Sequence, residues 1–212
     1  MKKMKRVCVL ASGGVDSGVL LGERLSRGDE VFPLYVRCGL RWEAAELLWL
    51  RRYLRALARM RLPGRLRPLT VASAPVAPLL QGHWSLRGRG VPSASASWDS
   101  VYLPGRNLLL LTQAGIFCAT RRIPAATMAV LKGNPFLDAT PAFRRRMEAV
   151  LVAAVGRRVR IEAPFSGFSK ARALKHVPGL PLHLTISCLQ PVRRASCGRC
   201  SKCAERAAGE SA

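Results

Sequence analysis

The chain has 212 residues, with 35 Lys and Arg against 12 Asp and Glu, a formal charge of +23. That length holds one α/β domain with a real core, and 49% hydrophobic residues support a globular fold. No apolar run reaches the ~20 residues of a membrane span, and the basic start (1–6) precedes too short an apolar run for a signal peptide, so a cytoplasmic location is expected.

Taken in order, an apolar run at 7–10 enters Ser12-Gly13-Gly14-Val15-Asp16-Ser17, and an amphipathic pattern follows over 19–25. This predicts a strand over 6–11, a glycine turn and a helix from about 16 to 27. Such a turn collects backbone N–H groups at the positive end of a helix dipole. The glycines let the backbone approach an anion, and Ser12 and Ser17 add hydroxyls. The result is a nest for phosphate or pyrophosphate. It is neither Gly-x-x-x-x-Gly-Lys-Ser/Thr nor Gly-x-Gly-x-x-Gly.

Residues 30–36 read as a second strand, against the warning of Pro33, which cannot donate to a ladder. A helix over 42–60 and a third strand over 67–72 follow. Strands alternating with helices predict a parallel sheet. Residues 75–100 are rich in Pro, Gly and Ser and read as a long loop covering the substrate, with at most a short helix near 76–80. His83 within it reads as structural or exposed rather than catalytic. Pro104-Gly105 turns the chain into a helix over 108–121, with Arg106 and Asn107 at its start facing a ligand. Fourth and fifth strands are expected over 126–131 and 159–163. Thr140, followed by Pro141, caps a helix to about 155, and a short helix starts near Ser169. In open parallel sheets ligands bind beyond the carboxyl ends of the strands. The segments at 12–17, 37–41, 132–138 and 164–170 should therefore share one crevice.

Four of the seven cysteines, Cys188, Cys197, Cys200 and Cys203, crowd the last 25 residues. Their short spacings suit one tetrahedral zinc with four sulfurs, a structural site with no open position. An iron–sulfur cluster and redox-active thiols are the alternatives. The charge of +23 admits a nucleic-acid partner. The arginines are nevertheless spread over nearly every segment, which also fits an arginine-rich coding background.

Ser-Gly-Gly-x-Asp-Ser after a first strand resembles the PP-loop of the ATP pyrophosphatase superfamily. With Leu-Pro-Gly-Arg-Asn at 103–107, Ser-Cys at 187–188 and Ser-Cys-Gly-Arg-Cys-Ser-Lys-Cys at 196–203, the chain resembles the 7-cyano-7-deazaguanine synthase (QueC-like) family. The resemblance is collinear over nearly the whole chain. It implies a Rossmann-like α/β fold (HUP, adenine nucleotide alpha hydrolase-like) with a five-stranded parallel sheet. An ATP-binding domain would cover 1–180 and a zinc-bound segment 181–212, commonly in a homodimer. It implies an ATP-dependent carbon–nitrogen ligase that adenylates 7-carboxy-7-deazaguanine. Ammonia then displaces AMP to give the amide, and a second activation gives the nitrile. ATP, Mg²⁺ and Zn²⁺ are the implied cofactors.

Carried over by position, Ser12, Gly13, Gly14, Asp16 and Ser17 would bind ATP phosphates, with Leu10, Val15, Val36 and Arg37 around the nucleotide. Asp16, Lys170 and Arg106 are the catalytic candidates; Asp16 holds Mg²⁺ or caps the helix. Arg41, Arg106, Asn107, Phe136 and Asp138 would meet the acyl substrate, Phe136 by stacking and Asp138 through a purine-like edge. Cys188, Cys197, Cys200 and Cys203 would hold zinc.

The chain departs from the family after the fourth strand. The usual Asp-Tyr/Phe-Ser-Gly-Tyr-Pro-Asp-Cys-Arg stretch is replaced by the shorter Gly133-Asn134-Pro135-Phe136-Leu137-Asp138-Ala139-Thr140-Pro141, and the family's Arg-His pair by Arg41-Trp42. A divergent member is implied, with an altered acyl substrate or an acceptor other than ammonia, such as a protein amine in an antiphage cluster. Two further readings are a PP-loop tRNA-modifying enzyme and a non-catalytic nucleotide-binding partner. For sulfur transfer to tRNA only Cys8, Cys38 and Cys118 lie outside the cluster.

Overall fold

The computed structural model describes residues 4–211, so the first residues of the basic segment lie outside it. β1 (Arg6–Leu10), α1 (Val15–Ser26), β2 (Glu30–Arg37) and α2 (Glu43–Arg59) open the fold. Two short strands follow, β3 (Arg65–Leu66) and β4 (Thr70–Ser73), then α3 (Trp84–Arg87) and α4 (Arg106–Arg121). The chain ends with β5 (Ala125–Thr127), α5 (Pro141–Val155), β6 (Arg160–Glu162), α6 (Lys170–Lys175) and α7 (Ser201–Ser211). The strands pair in parallel in the order β3-β2-β1-β5-β6, and β4 also pairs with β2. The architecture is the expected Rossmann-like α/β sheet.

The sheet has six strands rather than five. Pro68 cannot donate to a ladder, and it falls between β3 and β4, which replace the expected third strand. Pro33 is tolerated for a related reason. The Val31 carbonyl accepts from Arg67 N–H at 2.8 Å, and alternation puts Pro33 on that same side, opposite the break between β3 and β4. Other expectations also shift. Residues 76–80 form only a hydrogen-bonded turn, and α4 starts two residues earlier than expected, taking Arg106 and Asn107 into its first turn. The fourth and fifth strands shorten to three residues each. α7 was absent from the sequence reading.

Alternate residues of the central strands feed two cores. Val7, Val9, Val31 and Tyr35 pack against Leu20, Leu21, Leu50 and Leu57 of α1 and α2. Cys8, Leu10, Leu34 and Val36 pack against Leu111, Phe117, Met147 and Leu151 of α4 and α5. Ile186, Cys188 and Cys200 join the second core, so the C-terminal segment packs into the same body as the sheet.

A buried charge network ties α1 to the sheet edge. The Arg24 side chain, 4% exposed, meets Asp29 at 3.4 Å, Glu162 at 2.5 Å and Glu23 at 3.5 Å. Burial works to raise the Glu162 carboxyl, but Arg24 and Lys5 outweigh it and hold it below its ordinary value. That stabilisation is therefore present above the unfolded glutamate pKa and is lost as pH falls through the folded one. Glu162 keeps Lys5 and Arg160 and Glu23 keeps Arg27, but Arg24→Ala leaves the buried Asp29 without its ion-pair partner. The expected cost is about 3–5 kcal/mol, measured as a lowered midpoint of urea unfolding.

Among the described residues no helix is long and apolar enough to cross a membrane.

Candidate active site and metal centre

The chain lays β2, β3 and β4 to one side of β1 and β5, β6 to the other, so the order reverses between β1 and β5. A crevice opens there at the carboxyl ends, as sheets of this kind require. Its cavity is about 270 Å³ and is lined by Leu10, Ser12, Gly14, Asp16 and Ser17 on one wall and Met128 and Ala129 on the other.

The loop between β1 and α1 is held by its own side chains. Ser12 Oγ lies 3.2 Å from Ser17 Oγ and accepts from Gly14 N–H at 3.3 Å. Ser17 Oγ donates to the Gly14 carbonyl at 2.9 Å. Gly13 has φ +78°, and a Cβ there would stand 2.6 Å from the Glu46 carbonyl oxygen. Conformation and space both require glycine. The buried Val15 gives its backbone N–H to Ser187 Oγ at 3.4 Å, and Ile186 N–H donates to the Gly13 carbonyl at 2.9 Å. The C-terminal segment thus braces the loop.

Asp16 does not cap α1, which has no side-chain cap. Its carboxylate lies 2.7 Å from Lys170 Nζ, at the N-terminus of α6 where Ser169 caps the helix. Lys170 also donates to Glu205 at 3.4 Å, and Lys202 donates to the other Glu205 oxygen at 2.6 Å. Asp16, Lys170, Glu205 and Lys202 therefore form one ionic chain from the loop to α7. All four line the cavity.

Burial pushes Glu46, which also lines this cavity, up to about 7, and Glu43 adds to the rise; Arg106 and a 2.7 Å hydrogen bond from the Tyr35 hydroxyl oppose it. Burial also raises Tyr35, which stays protonated and a donor. The buried Nε of Arg106 finds no hydrogen-bond partner among the described residues.

A second cavity, about 200 Å³, adjoins the first through Trp42, Arg106, Asn107, Leu189 and Lys202. Trp42 and Trp84, stacked at 5.6 Å, and Tyr102 and Phe136, 5.1 Å apart, all line it. Asp138 lines this cavity, but both its oxygens are engaged. Oδ2 accepts from Asn107 N–H at 3.0 Å and Oδ1 from Asn107 Nδ2 at 3.0 Å. Asp138 thus anchors the first turn of α4.

Of the expected covering loop over 75–100, only Trp84 lines either cavity, the second. His83 Nδ1 accepts from Ser85 N–H at 3.3 Å and so caps α3. Ser93 bridges to Cys200, and Ser201 N–H donates to the Pro92 carbonyl at 3.1 Å.

The structure separates two of the expected site residues from the rest. Arg37, 53% exposed, turns outward 3.8 Å from Glu43 and lines neither cavity. Arg41 also lines neither; its guanidinium donates to the Arg87 carbonyl at 2.7 Å and packs on Gly88, a strut for the loop. Both leave β2 where the chain bends towards α2 and away from the crevice. Val36 lines the first cavity, and Phe136 the second. Tyr35, Glu46, Ser187, Lys202 and Glu205 escaped the sequence reading. The Ser187-Cys188 pair was visible in the motif, whereas Glu46 read only as a polar position on an amphipathic helix.

The sulfurs of Cys188, Cys197, Cys200 and Cys203 all lie within 4.8 Å of one another. Two of the separations are 3.9 Å (Cys197–Cys203) and 3.5 Å (Cys200–Cys203). Tetrahedral zinc at Zn–S ≈ 2.3 Å needs sulfurs about 3.8 Å apart, so the donor set fits zinc. Hydrogen bonds from Cys188 and from Leu189 N–H hold the Cys200 thiol below its ordinary value, whereas the bond to Cys200 raises Cys188 and burial raises Cys203.

A parallel sheet thus carries a glycine-rich loop at its switch point, an acid–lysine pair beside it and a cluster of four cysteines, the arrangement of a PP-loop α/β protein. Solved structures share this fold. A 4-thiouridine synthetase in complex with RNA and bound ATP aligns with a TM-score of 0.55 at 17% identity, over 97% of this chain and 49% of that one. A predicted subunit of a tRNA methyltransferase from Methanocaldococcus jannaschii aligns with a TM-score of 0.50 at 12% identity, over 82% of this chain and 73% of that one.

The chain belongs to the QueC family: the family model for queuosine biosynthesis protein QueC matches residues 6–211. The 7-cyano-7-deazaguanine synthase 1 of Desulfitobacterium hafniense is 30% identical over 206 residues, 95% of this chain and 89% of that protein. The 7-cyano-7-deazaguanine synthase of an Anaeromyxobacter species is 31% identical over 215 residues, 97% of this chain and 91% of that protein. At this identity the chain is a divergent member.

Proposed function

We propose that the chain uses ATP to adenylate the carboxylate of a flat heterocycle of the 7-carboxy-7-deazaguanine type and passes the acyl group to ammonia. One observation carries this reading: the loop cavity and the aromatic cavity adjoin, with Arg106 and Asn107 lining both. ATP phosphates would lie on the loop over 12–17, against Lys170, with Asp16 the nearby carboxylate for Mg²⁺. The ring would enter beside the Trp42–Trp84 and Tyr102–Phe136 pairs, which offer aromatic faces. Its carboxylate would then point back to Arg106, whose partnerless Nε suits an anionic oxygen.

The chemistry follows in two displacements. A carboxylate oxygen attacks the α-phosphorus and pyrophosphate leaves. Ammonia attacks the acyl carbon and AMP leaves. Activation is needed because a carboxylate is a poor acyl donor, and the loop stabilises charge on the departing pyrophosphate. A second round on the amide would give the nitrile. Zinc, held by the four cysteines, would fix the segment that braces the loop.

The charge of +23 favours one second reading, an RNA acceptor. Sulfur transfer is the poorer form of it. Cys8, Cys38 and Cys118 are 0%, 1% and 0% exposed, and the Cys8 thiol is raised by its contact with Cys118 and by burial. ATP–pyrophosphate exchange separates the readings. Exchange that requires the deazapurine acid supports the first; exchange that requires tRNA and ignores the acid supports the second.

A further inference from the structure

We propose that Glu46 is the general base that takes the proton from the amine attacking the activated acyl group. The role rests on the adenylating reading above.

Four cavity-lining carboxylates compete for this task, and three are committed elsewhere. Asp16 and Glu205 are ion-paired to Lys170. Both Asp138 oxygens accept from Asn107. Among the described residues Glu46 is in no ion pair; its Oε2 accepts one hydrogen bond, from the Tyr35 hydroxyl at 2.7 Å. It lies in the first turn of α2, whose backbone presses on Gly13, so the carboxylate is fixed relative to the phosphate loop. It lines the same cavity as Arg106, where the acyl carboxylate would sit. The titratable groups around it are Tyr35 on β2, Cys38 just beyond it, Glu43 on α2 itself and Arg106 on α4.

The step balances without a further reactant. The amine nitrogen forms a bond to the acyl carbon, and the bond from that carbon to the AMP oxygen breaks with its electron pair. The surplus proton on nitrogen passes to the Glu46 carboxylate and then to water. Burial that raises this carboxylate to about 7 makes it a base matched to neutral pH.

The test compares the unaltered chain with Glu46→Gln and Tyr35→Phe, supplied with ATP, Mg²⁺, 7-carboxy-7-deazaguanine and ammonium. Acid-dependent ATP–pyrophosphate exchange reports activation, and mass spectrometry reports the amide. Glu46→Gln should slow amide formation by about 10²–10⁴-fold, far more than it slows exchange. The Tyr35 hydroxyl favours the carboxylate, so Tyr35→Phe raises its pKa. A base acts above its pKa, so the acid limb of the amide profile should move up by about one pH unit while the exchange profile stays in place. Equal amide rates from Glu46→Gln and the unaltered chain, or an unmoved limb in Tyr35→Phe, would overturn the role alone. No exchange from the unaltered chain would overturn the role and the reading together.

Discussion

Asp16→Asn is expected to cut acid-dependent AMP release by about 10²–10³-fold and leave the zinc content unchanged. The substitution keeps the shape of the side chain and removes its charge. Asp16 sits in the first turn of α1, beside the phosphate loop, 2.7 Å from Lys170 Nζ. Without that charge Lys170 keeps only Glu205, at 3.4 Å, and its ammonium is drawn towards α7 and off the loop. The same change removes the carboxylate proposed for Mg²⁺. Preorganised charge at a departing group is worth about this much in other enzymes. AMP release measured by chromatography, with metal content by atomic absorption, checks both halves. Turnover close to that of the unaltered chain would count against Asp16.

The second large effect lies in the cysteine knuckle. Cys200→Ser, or removal of metal with a chelator, should abolish turnover and release the C-terminal segment from the sheet. Cys200 is 2% exposed and belongs to the core shared with Ile186 and Cys188. Structural zinc contributes on the order of 10 kcal/mol to small sites of this type, more than local packing supplies. Ser187, which accepts from Val15 N–H, lies beside Cys188, and α7 carries Lys202 and Glu205. Loss of the knuckle therefore removes supports from the loop and from Lys170. Hydrogen exchange should show lost protection over 186–211 with β1 and α1 still protected. A metal-free chain that keeps its turnover would contradict the bracing role.

The parts of the molecule most legible in the sequence were those with a local cause. The loop over 12–17 needs glycine beside a strand end, and Gly13 at φ +78° shows why. Thr140 with Pro141, and Ser169 before Lys170, are caps whose chemistry is complete within one helical turn. The four cysteines declare themselves by spacing. What could not be read was long-range partnership. Asp138 looked available for a ligand because nothing local shows that Asn107, 31 residues earlier, takes both oxygens. Arg41 looked like a site residue because its distant partner, the Arg87 carbonyl, belongs to a loop without periodicity. Glu46 carries no motif, and burial by other elements gives it its character. α7 was missed because the cysteine knuckle dominates its start. The five-strand expectation fails at Pro68, which divides the expected third strand into β3 and β4.

The most direct test of the proposed activity is product identity. The purified, zinc-loaded chain is incubated with ATP, Mg²⁺ and 7-carboxy-7-deazaguanine, with and without ammonium, and AMP and product mass are followed together. The expected result is AMP release that depends on the acid, with an amide or nitrile mass appearing only when ammonium is present. ATP left intact in the presence of the acid, alongside AMP release driven by tRNA, would contradict it.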